Sequence, residues 1–167
     1  KNIKKDNKKV LTKEQQKCFD SINFCIENEE FSRHLIYGVT GSGKTEIYLQ
    51  LIESVLNKNK TAILLVPEIS LTPQMIDRFL ARFGSNIAVL HSKLSIGERY
   101  DEWQKILKGE SKIVIGARSA IFAPIKNLGI IIIDEEHDMS YKSEMTPRYN
   151  AKEIAKYIYV ITAETAR

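Results

Sequence analysis

The strongest constraint in this sequence is the glycine-rich stretch Gly38–Thr45, which reads G-V-T-G-S-G-K-T. It matches the phosphate-binding pattern G-x-x-x-x-G-K-[ST]. An apolar run precedes it and a helical pattern follows it, so it predicts a strand, a loop and a helix. Glycines let the backbone turn so that successive N–H groups face a phosphate, and the helix N-terminus adds its positive dipole end. A glycine-rich hairpin turn with a chance lysine is the alternative, which the strand-to-helix context disfavours.

The loop pattern assigns a role to individual residues. Lys44 is predicted to reach the β- and γ-phosphates of a nucleotide, and Thr45 is predicted to place its hydroxyl on Mg²⁺. The residues of the loop that we predict to bind the nucleotide are Gly38, Val39, Thr40, Gly41, Ser42, Gly43, Lys44 and Thr45.

The net charge of the chain is concentrated at its N-terminus. The formal net charge is +4 over 167 residues, and residues 1–9, with five lysines and one aspartate, account for all of it. We therefore predict that residues 1–10 form a basic, flexible linker and that residues 11–167 form one globular unit. Because the remainder is neutral overall, charge alone does not predict nucleic-acid binding.

The cysteines and the apolar runs restrict the compartment. Cys18 and Cys25 are seven residues apart in a helical pattern, which is too far for a disulfide and is not a zinc spacing. We interpret them as small apolar residues of a cytoplasmic protein, and we expect no zinc in this chain. No apolar run approaches the roughly 18 residues that a membrane span requires, and no secretion signal is recognisable, so we expect no membrane partner.

Strand-like and helical segments alternate along the chain. Apolar runs such as Ile63–Val66 are typical of strands that are buried on both faces. The alternation predicts an α/β fold with a mainly parallel sheet and helices on both faces. A last helix is predicted over residues 149–158, and Val160–Arg167 receives no assignment. Polar strings follow the predicted strands, so we expect them to meet at the carboxyl edge of the sheet, where ligands of such sheets bind.

The run Ile130–Ile133 is followed by two acids, Asp134 and Glu135. A carboxylate at the end of a buried strand can hold Mg²⁺, and the next carboxylate can polarise an attacking water. Because these acids follow a phosphate-binding loop in the same predicted sheet, we favour a hydrolytic site over a surface charge. Lys44, Asp134 and Glu135 are the predicted catalytic residues, with Thr45 and Asp134 as the Mg²⁺ ligands. The guanine-reading string N-K-x-D is absent, which favours ATP over GTP.

Several strings together resemble the superfamily 2 helicases, and among them the replication-restart DNA helicases. They are Gly38–Leu49, Leu65–Gln74, Leu90–Arg99, Ile115–Pro124, Ile133–Lys142 and Pro147–Ala151. The resemblance implies a RecA-like P-loop NTPase lobe, the first ATP-binding lobe of an ATP-dependent 3′-to-5′ DNA helicase in replication restart and primosome assembly. It implies DNA forks, single strands, primosome proteins and single-strand-binding proteins as partners, and zinc only elsewhere in the longer protein.

The resemblance also implies that the lobe is incomplete at its C-terminal end. The family's next string, G-S-A-T-P, does not match Val160–Arg167, and the second helicase lobe with its arginine finger is absent. Arginine fingers contribute about 10³–10⁵ in rate in related phosphate chemistry. We therefore expect this chain alone to be monomeric and nearly inactive as an ATPase.

Roles for some further residues are implied by the resemblance alone. Gln15 is expected to read the adenine edge of ATP through its amide, which suits the N6 and N7 pattern of adenine. An ordinary surface helix residue is the alternative. Gln74, Arg118 and Ser119 are expected to contact DNA, although each of them would also suit a helix cap or a loop.

The segment after the two acids resembles the aromatic-rich loop that links DNA binding to hydrolysis. His137 is expected to couple the nucleotide state to DNA-facing loops. Tyr141 and Tyr149 are candidates for stacking on bases, although two ordinary half-buried tyrosines would give the same pattern. Competing functions are another superfamily 2 DNA translocase and a DNA-binding scaffold that is switched by nucleotide without unwinding.

Overall fold

The computed structural model describes residues 6–39, 41–144, 148–155 and 160–166, the last of these by its backbone. Helices and strands alternate along most of the chain. In chain order they are α1 (Lys13–Glu27), β1 (Arg33–Val39), α2 (Lys44–Asn57), β2 (Thr61–Leu65), α3 (Pro73–Phe83), β3 (Ile87–Leu90), α4 (Ile96–Leu107), β4 (Ile113–Gly116), β5 (Leu128–Ile133), α5 (Ala151–Ala155) and β6 (Val160–Ala166).

The strands form one six-stranded sheet in the order β1-β6-β5-β2-β4-β3. Every neighbouring pair is parallel. One hydrophobic core lies between the sheet and helices α1, α2 and α3. A second core lies between the opposite face and helices α4 and α5. The predicted α/β fold with helices on both faces is therefore confirmed.

The chain's polar signals determine where the helices begin. Thr12 caps α1 by accepting a hydrogen bond from the backbone N–H of Gln15, whose side-chain oxygen accepts one from the N–H of Thr12. Ser95 and Glu98 form the same reciprocal box at α4. Such caps satisfy N–H groups that have no partner inside the helix. At α1 the box has a second consequence, because it also fixes the side chain of Gln15.

Strand β6 is the largest difference from the sequence prediction. We predicted a helix over residues 149–158 and made no assignment for Val160–Arg167, whereas the structure has a short helix α5 and then β6. Residues 156–159 lie outside the described residues. β6 pairs with β1 over its whole length and with the last residues of β5. Its residues, V-I-T-A-E-T-A, lack the continuous apolar run by which the other central strands were recognised.

Because β6 is inserted between them, β1 and β5 are not neighbours in the sheet. The strand that leads into the phosphate loop and the strand that ends in Asp134 are therefore about 9–10 Å apart, two inter-strand spacings. The two halves of the predicted site therefore start on opposite sides of β6.

The N-terminal segment, residues 6–10, also differs from its prediction as a flexible linker. The N–H of Asp6 donates to the carbonyl of Ala81 at 3.0 Å. The carboxylate of Asp6 lies 3.2 Å from a guanidinium nitrogen of Arg82. The N–H of Lys9 donates to the carboxylate of Glu46. Local composition cannot reveal these contacts, because the partners lie in α2 and α3; residues 1–5 lie outside the described residues.

In the part of the chain that the structure describes, no helix has the length and apolar character needed to cross a membrane.

Candidate nucleotide-binding site

The glycines of the phosphate loop have the conformations that such a loop requires. Gly41 has φ +79° and Gly43 has φ +83°, both in the left-handed region that favours glycine. A Cβ at Gly38 would lie 2.8 Å from Oγ of Ser42. Gly43 is the N-cap of α2, so the loop ends where the free N–H groups of the helix begin. Thr40, a predicted nucleotide-binding residue, lies outside the described residues.

Lys44, the first residue of α2, folds back over the loop. Its ammonium group donates to the carbonyl oxygen of Gly38 at 2.7 Å and to that of Val39 at 3.3 Å. The charge is therefore held at the mouth of the loop by weak, neutral acceptors. A phosphate would offer the same ammonium group an acceptor that is itself charged, which binds it more strongly than neutral carbonyl oxygens do.

Gln15 contacts the phosphate loop from α1. Its Nε2 donates to the carbonyl of Ser42 at 2.6 Å, and its Oε1 accepts from the N–H of Thr12 at 2.9 Å. A Cβ at Gly43 would collide with the same amide. Gln15 is therefore not an ordinary surface residue of a helix, because it joins the start of α1 to the loop. Its expected contact with adenine stays a prediction.

Asp134 lies at the end of β5, and two tyrosines and one backbone carbonyl hold it. Its Oδ1 accepts a hydrogen bond from the hydroxyl of Tyr48 at 2.8 Å. Its backbone N–H donates to Leu65 at 2.9 Å, and its backbone carbonyl accepts from Tyr141 at 2.5 Å. Since Tyr48 belongs to the first turns of α2, this contact places the acid beside the helix that starts in the phosphate loop.

Burial keeps both tyrosines protonated and therefore able to donate. Tyr48 is 1% exposed and Tyr141 is fully buried. Burial raises the pKa of Tyr48 well above its ordinary value, and the adjacent Asp134 carboxylate raises it further. Burial likewise raises the pKa of Tyr141, with Asp134 again adding to the effect.

Glu135 has an uncommon backbone conformation. Its φ of +48° lies in the left-handed region, which is sparsely populated by residues with a long side chain. The N–H of Asp138 donates to its carbonyl at 2.9 Å and closes a turn. Strain of this kind is found at functional sites more often than elsewhere. The half-buried carboxylate is thus carried by a strained turn that follows directly on Asp134.

The donor set fits a nucleotide with Mg²⁺. None of the described residues donates a hydrogen bond to Oδ2 of Asp134 or engages the hydroxyl of Thr45, so both oxygens are available as hard ligands. Within the described residues no group of three or more His, Cys, Asp or Glu side chains could hold a metal ion. A cation at this site would therefore need phosphate oxygens and water to complete its shell, which is how proteins usually bind Mg²⁺ with nucleotides.

The predicted DNA-contacting residues differ in whether their side chains are exposed to solvent or held by hydrogen bonds within the protein. Gln74 is exposed in the first turn of α3, and Ser119 is exposed beyond the end of β4. Arg118, in contrast, donates through Nη1 to the carbonyl oxygens of Ser140 and Lys142 at 3.0 and 2.7 Å. Its guanidinium therefore ties the segment after β4 to the segment after β5.

The two tyrosines of the aromatic-rich loop have different environments. Tyr141 is fully buried, and its hydroxyl bonds the backbone carbonyls of Asp134 and Leu65. The ring of Tyr141, a candidate for stacking on bases, is therefore packed in the core in this structure. An aromatic pattern in the sequence cannot show which ring faces the core. Tyr149 is half-buried, edge-on to Phe122 at 4.8 Å between ring centroids. The guanidinium of Arg118 lies 5.6 Å from the Tyr149 ring.

His137 is exposed in the turn that follows Glu135. Next to it, the ammonium of Lys152 donates to the carbonyl of Glu136 at 3.1 Å and lies 3.3 Å from its carboxylate. The turn that carries the acids is in this way connected to α5. Coupling by His137 stays a prediction.

Sequence reasoning missed an ionic cluster on the other side of α2. Glu46 is 4% exposed, and its carboxylate accepts hydrogen bonds from Arg82 at 2.9 and 3.1 Å. Gln50, Arg78 and the N–H of Lys9 supply further donors. Burial alone would raise the pKa of Glu46, but the hydrogen bonds from Gln50 and Arg82 bring it below its ordinary value. A charged residue directly after the phosphate loop was the only available signal.

Comparison with known proteins supplies the family. The profile of the family described as type III restriction enzyme, res subunit, matches residues 8–164. The chain belongs to this family. It is 61% identical over 155 residues to the replication restart protein PriA of Bacillus subtilis (strain 168), which covers 93% of this chain and 19% of that protein. It is 48% identical to PriA of Haemophilus influenzae, over 92% of this chain and 20% of that protein.

The family resemblance seen in the sequence is thereby confirmed, over a limited part of the relatives. The chain spans about a fifth of the length of these two PriA proteins. Among solved structures, RecG bound to a three-way DNA junction matches 95% of this chain and 21% of its own, with a TM-score of 0.75 at 22% identity. The SWI2/SNF2 ATPase core of Sulfolobus solfataricus with dsDNA matches 98% and 33%, with a TM-score of 0.67 at 17% identity. These likenesses confirm the RecA-like fold.

Proposed function

We propose that this chain is the ATP-binding lobe of an ATP-dependent 3′-to-5′ DNA helicase that acts in replication restart. The observation that carries the nucleotide part is the 2.8 Å hydrogen bond from Tyr48 to Asp134, which joins the acidic end of β5 to the helix that starts in the phosphate loop. The identity of 61% with a PriA protein supports the replication-restart part. Since the chain spans a fifth of that relative, the activity of the longer protein is part of the proposal.

In this proposal, nucleotide binding and nucleotide hydrolysis are carried out by different residues of the chain. The N–H groups of the loop and of the start of α2 bind phosphate oxygens, and Lys44 adds a positive charge. Thr45 and Asp134 supply oxygen ligands for Mg²⁺, which neutralises phosphate charge when bound. Glu135 accepts a hydrogen bond from the attacking water and orients it. Gln15, beside the loop, is proposed to read the adenine edge.

DNA is the proposed macromolecular partner, as forks and single strands. Gln74 and Ser119 are exposed and are proposed to contact the DNA backbone. Arg118 and Tyr149 are proposed to act by holding the loop after β5 in place, and exposed His137 to report the nucleotide state. Primosome and single-strand-binding proteins, and a cytoplasmic location, belong to the same proposal. Unwinding of a fork by the longer protein distinguishes a helicase from a switched scaffold.

The phosphate loop is tested by calorimetry with ATP and Mg²⁺. Lys44→Ala is expected to abolish measurable binding, because the ammonium charge at the phosphates is lost. The matched control is Lys108→Ala, an exposed lysine at the end of α4, which is expected to leave the affinity unchanged. Equal affinity of the Lys44→Ala variant and the wild type would contradict the assignment of the loop.

The requirement for a second lobe is tested by steady-state hydrolysis. We expect this chain to turn ATP over at least about 10³-fold more slowly than the longer protein with DNA, because no second lobe supplies an arginine finger. A DNA-stimulated rate close to that of the longer protein would refute the proposal that the site is completed elsewhere.

A further inference from the structure

The buried hydroxyl group of Tyr48 has one hydrogen-bond partner among the described residues. The ring is 1% exposed in the core between α2 and the sheet. Its hydroxyl donates to Oδ1 of Asp134 at 2.8 Å, the one hydrogen bond that it makes with the described residues. Buried hydroxyl groups are normally paired, since leaving one unpaired costs about 1–3 kcal/mol. The core packing of Tyr48 therefore fixes the position from which this hydrogen bond is donated.

Asp134 is held at several atoms, of which only one belongs to its carboxylate. Its backbone N–H and carbonyl bond Leu65 and Tyr141. These contacts fix the main chain, and the hydrogen bond from Tyr48 fixes the carboxylate itself. Oδ1 is thereby engaged, while Oδ2 has no donor among the described residues. The two oxygens of a chemically symmetric group are made different by one phenol.

Tyr48 also connects Asp134 to α2, the helix that carries Thr45. Thr45 and Tyr48 are three residues apart in α2, a spacing at which side chains are neighbours on a helix surface. The two predicted Mg²⁺ ligands, Thr45 and Asp134, come from separate elements of the fold. The hydrogen bond from Tyr48 joins those elements at the level of the ligands.

We propose that Tyr48 is a positioning residue for Mg²⁺: its hydroxyl holds Oδ1 of Asp134 so that Oδ2 is the oxygen that serves the metal of the bound nucleotide. This inference rests on the proposed nucleotide site. Partners of this kind, which orient a ligand without touching the metal, typically account for about 10–100-fold in metal affinity. A neutral donor suits the role, because it orients the carboxylate without removing its charge.

The test is a Mg²⁺ titration of this chain bound to the fluorescent nucleotide mant-ADP. Tyr48→Phe keeps the ring and removes only the hydroxyl. We expect the Mg²⁺ concentration for half-saturation to rise about tenfold, at the lower end of the usual range, because the hydrogen bond is single and neutral at the donor. We expect the affinity for mant-ADP in EDTA to be unchanged, because no metal takes part. Circular dichroism melting shows that the variant is folded.

Two further tyrosine variants separate positioning from stability. Tyr100→Phe removes the hydroxyl of an exposed ring and is expected to change nothing. Tyr141→Phe removes hydrogen bonds to backbone carbonyls and not to the carboxylate, so it is expected to lower the melting temperature with at most a twofold change in Mg²⁺ dependence. A tenfold change in the Tyr141→Phe variant would show that loss of hydrogen bonds to the main chain is sufficient and would overturn the inference.

A double-mutant cycle with Asp134→Ala decides whether Tyr48 acts through the acid. If it does, Tyr48→Phe adds no further change to the Mg²⁺ dependence once the carboxylate is gone. An added tenfold change in that background would overturn the inference, as would unchanged or tighter Mg²⁺ binding by Tyr48→Phe alone. Failure of the wild-type chain to bind mant-ADP even with saturating Mg²⁺ would refute the nucleotide site itself, and the two failures are therefore distinguishable.

Discussion

Two carboxylates beside α2 have opposite hydrogen-bonding environments. Glu46 is saturated, because its two oxygens accept from Arg82, Arg78, Gln50 and the N–H of Lys9. Asp134 receives one hydrogen bond from a neutral phenol and keeps its second oxygen without a donor among the described residues. In the first arrangement, the charge of Glu46 joins α2 to α3 and is not available to a ligand. The second holds a charge in place and leaves it reactive.

The comparison offers a physical criterion for reading acids in a fold of this kind. A buried carboxylate that is fully matched by cations contributes to architecture, because any ligand would have to displace those partners. A half-buried carboxylate with a neutral donor on one oxygen is prepared for a cation. Sequence position alone would not separate the two, since Glu46 directly follows the predicted Mg²⁺ ligand Thr45.

The largest effect is expected from breaking the saturated cluster. Arg82 has a side chain that is 3% exposed and also bonds Glu53 and Asp6. Arg82→Met leaves Glu46 buried without its main cation, so the free energy of unfolding should fall by about 3–5 kcal/mol, measured by urea denaturation. Arg78→Met is the control, since its side chain is 35% exposed and its loss should cost about 1 kcal/mol or less. Equal losses of unfolding free energy in the two variants would mean that the burial of an arginine does not determine how strongly its contact with Glu46 stabilises the fold.

A smaller effect is expected at Asp134. Asp134→Ala deprives the buried hydroxyl of Tyr48 of its acceptor and should lower the free energy of unfolding by about 1–2 kcal/mol. Asp134→Asn retains an acceptor oxygen and should be close to neutral in the same urea experiment, although it removes the charge that Mg²⁺ requires. If Asp134→Ala lowered the free energy of unfolding as much as Arg82→Met does, the proposed difference between the structural carboxylate of Glu46 and the available carboxylate of Asp134 would be contradicted.

The pH dependence of stability sharpens the contrast further. Because the folded protein holds the pKa of Glu46 below its ordinary value of 4.5, the ionised form stabilises the fold above that pH. This stabilisation is lost as the pH falls below about 4.5 and through the lowered pKa. In urea unfolding between pH 3 and 6, Glu46→Gln should therefore show a shallower decline than the wild type. Identical slopes would assign the acid sensitivity to other carboxylates.

The smallest effect is expected at the strained turn. Glu135→Asn should raise the free energy of unfolding by about 0.5 kcal/mol, because Asn tolerates a φ of +48° better than Glu. Glu30→Asn, an exposed position without a positive φ, is the neutral control. Thermal melting would detect the difference. A destabilised Glu135→Asn variant would show that the carboxylate of Glu135 stabilises the fold, as that of Glu46 does.

How much could be predicted from the sequence depended on whether the decisive contacts were local. The phosphate loop was predictable because its requirements lie within eight residues: glycines at positive φ and a helix start. The end of β5 was predictable because a continuous apolar run precedes Asp134. In both cases the pattern and the structure involve the same short segment.

Features that depend on distant partners were missed or left open. Tyr141 was a candidate for stacking on bases, but the core between the sheet and α5 accommodates its ring. The N-terminal segment was assigned to solvent, but Arg82 pairs with Asp6. β6 was not recognised, because its place between β1 and β5 is determined by pairing and not by its own composition. The Tyr48–Asp134 contact joins residues 86 positions apart and leaves no local signal.

The central place of β6 has a consequence for how the molecule is made. β1 is synthesised before β6 and four other strands lie between them in the chain, yet they are adjacent in the sheet, so pairing them closes one of the longest loops that the described chain can form. Parallel pairing between such distant segments is slow and is exposed to aggregation while it is awaited. A nascent chain would carry the phosphate loop and the Asp134 strand as two unconnected edges until β6 is available. Assembly of the nucleotide site from these two strands would therefore have to await the pairing of β6.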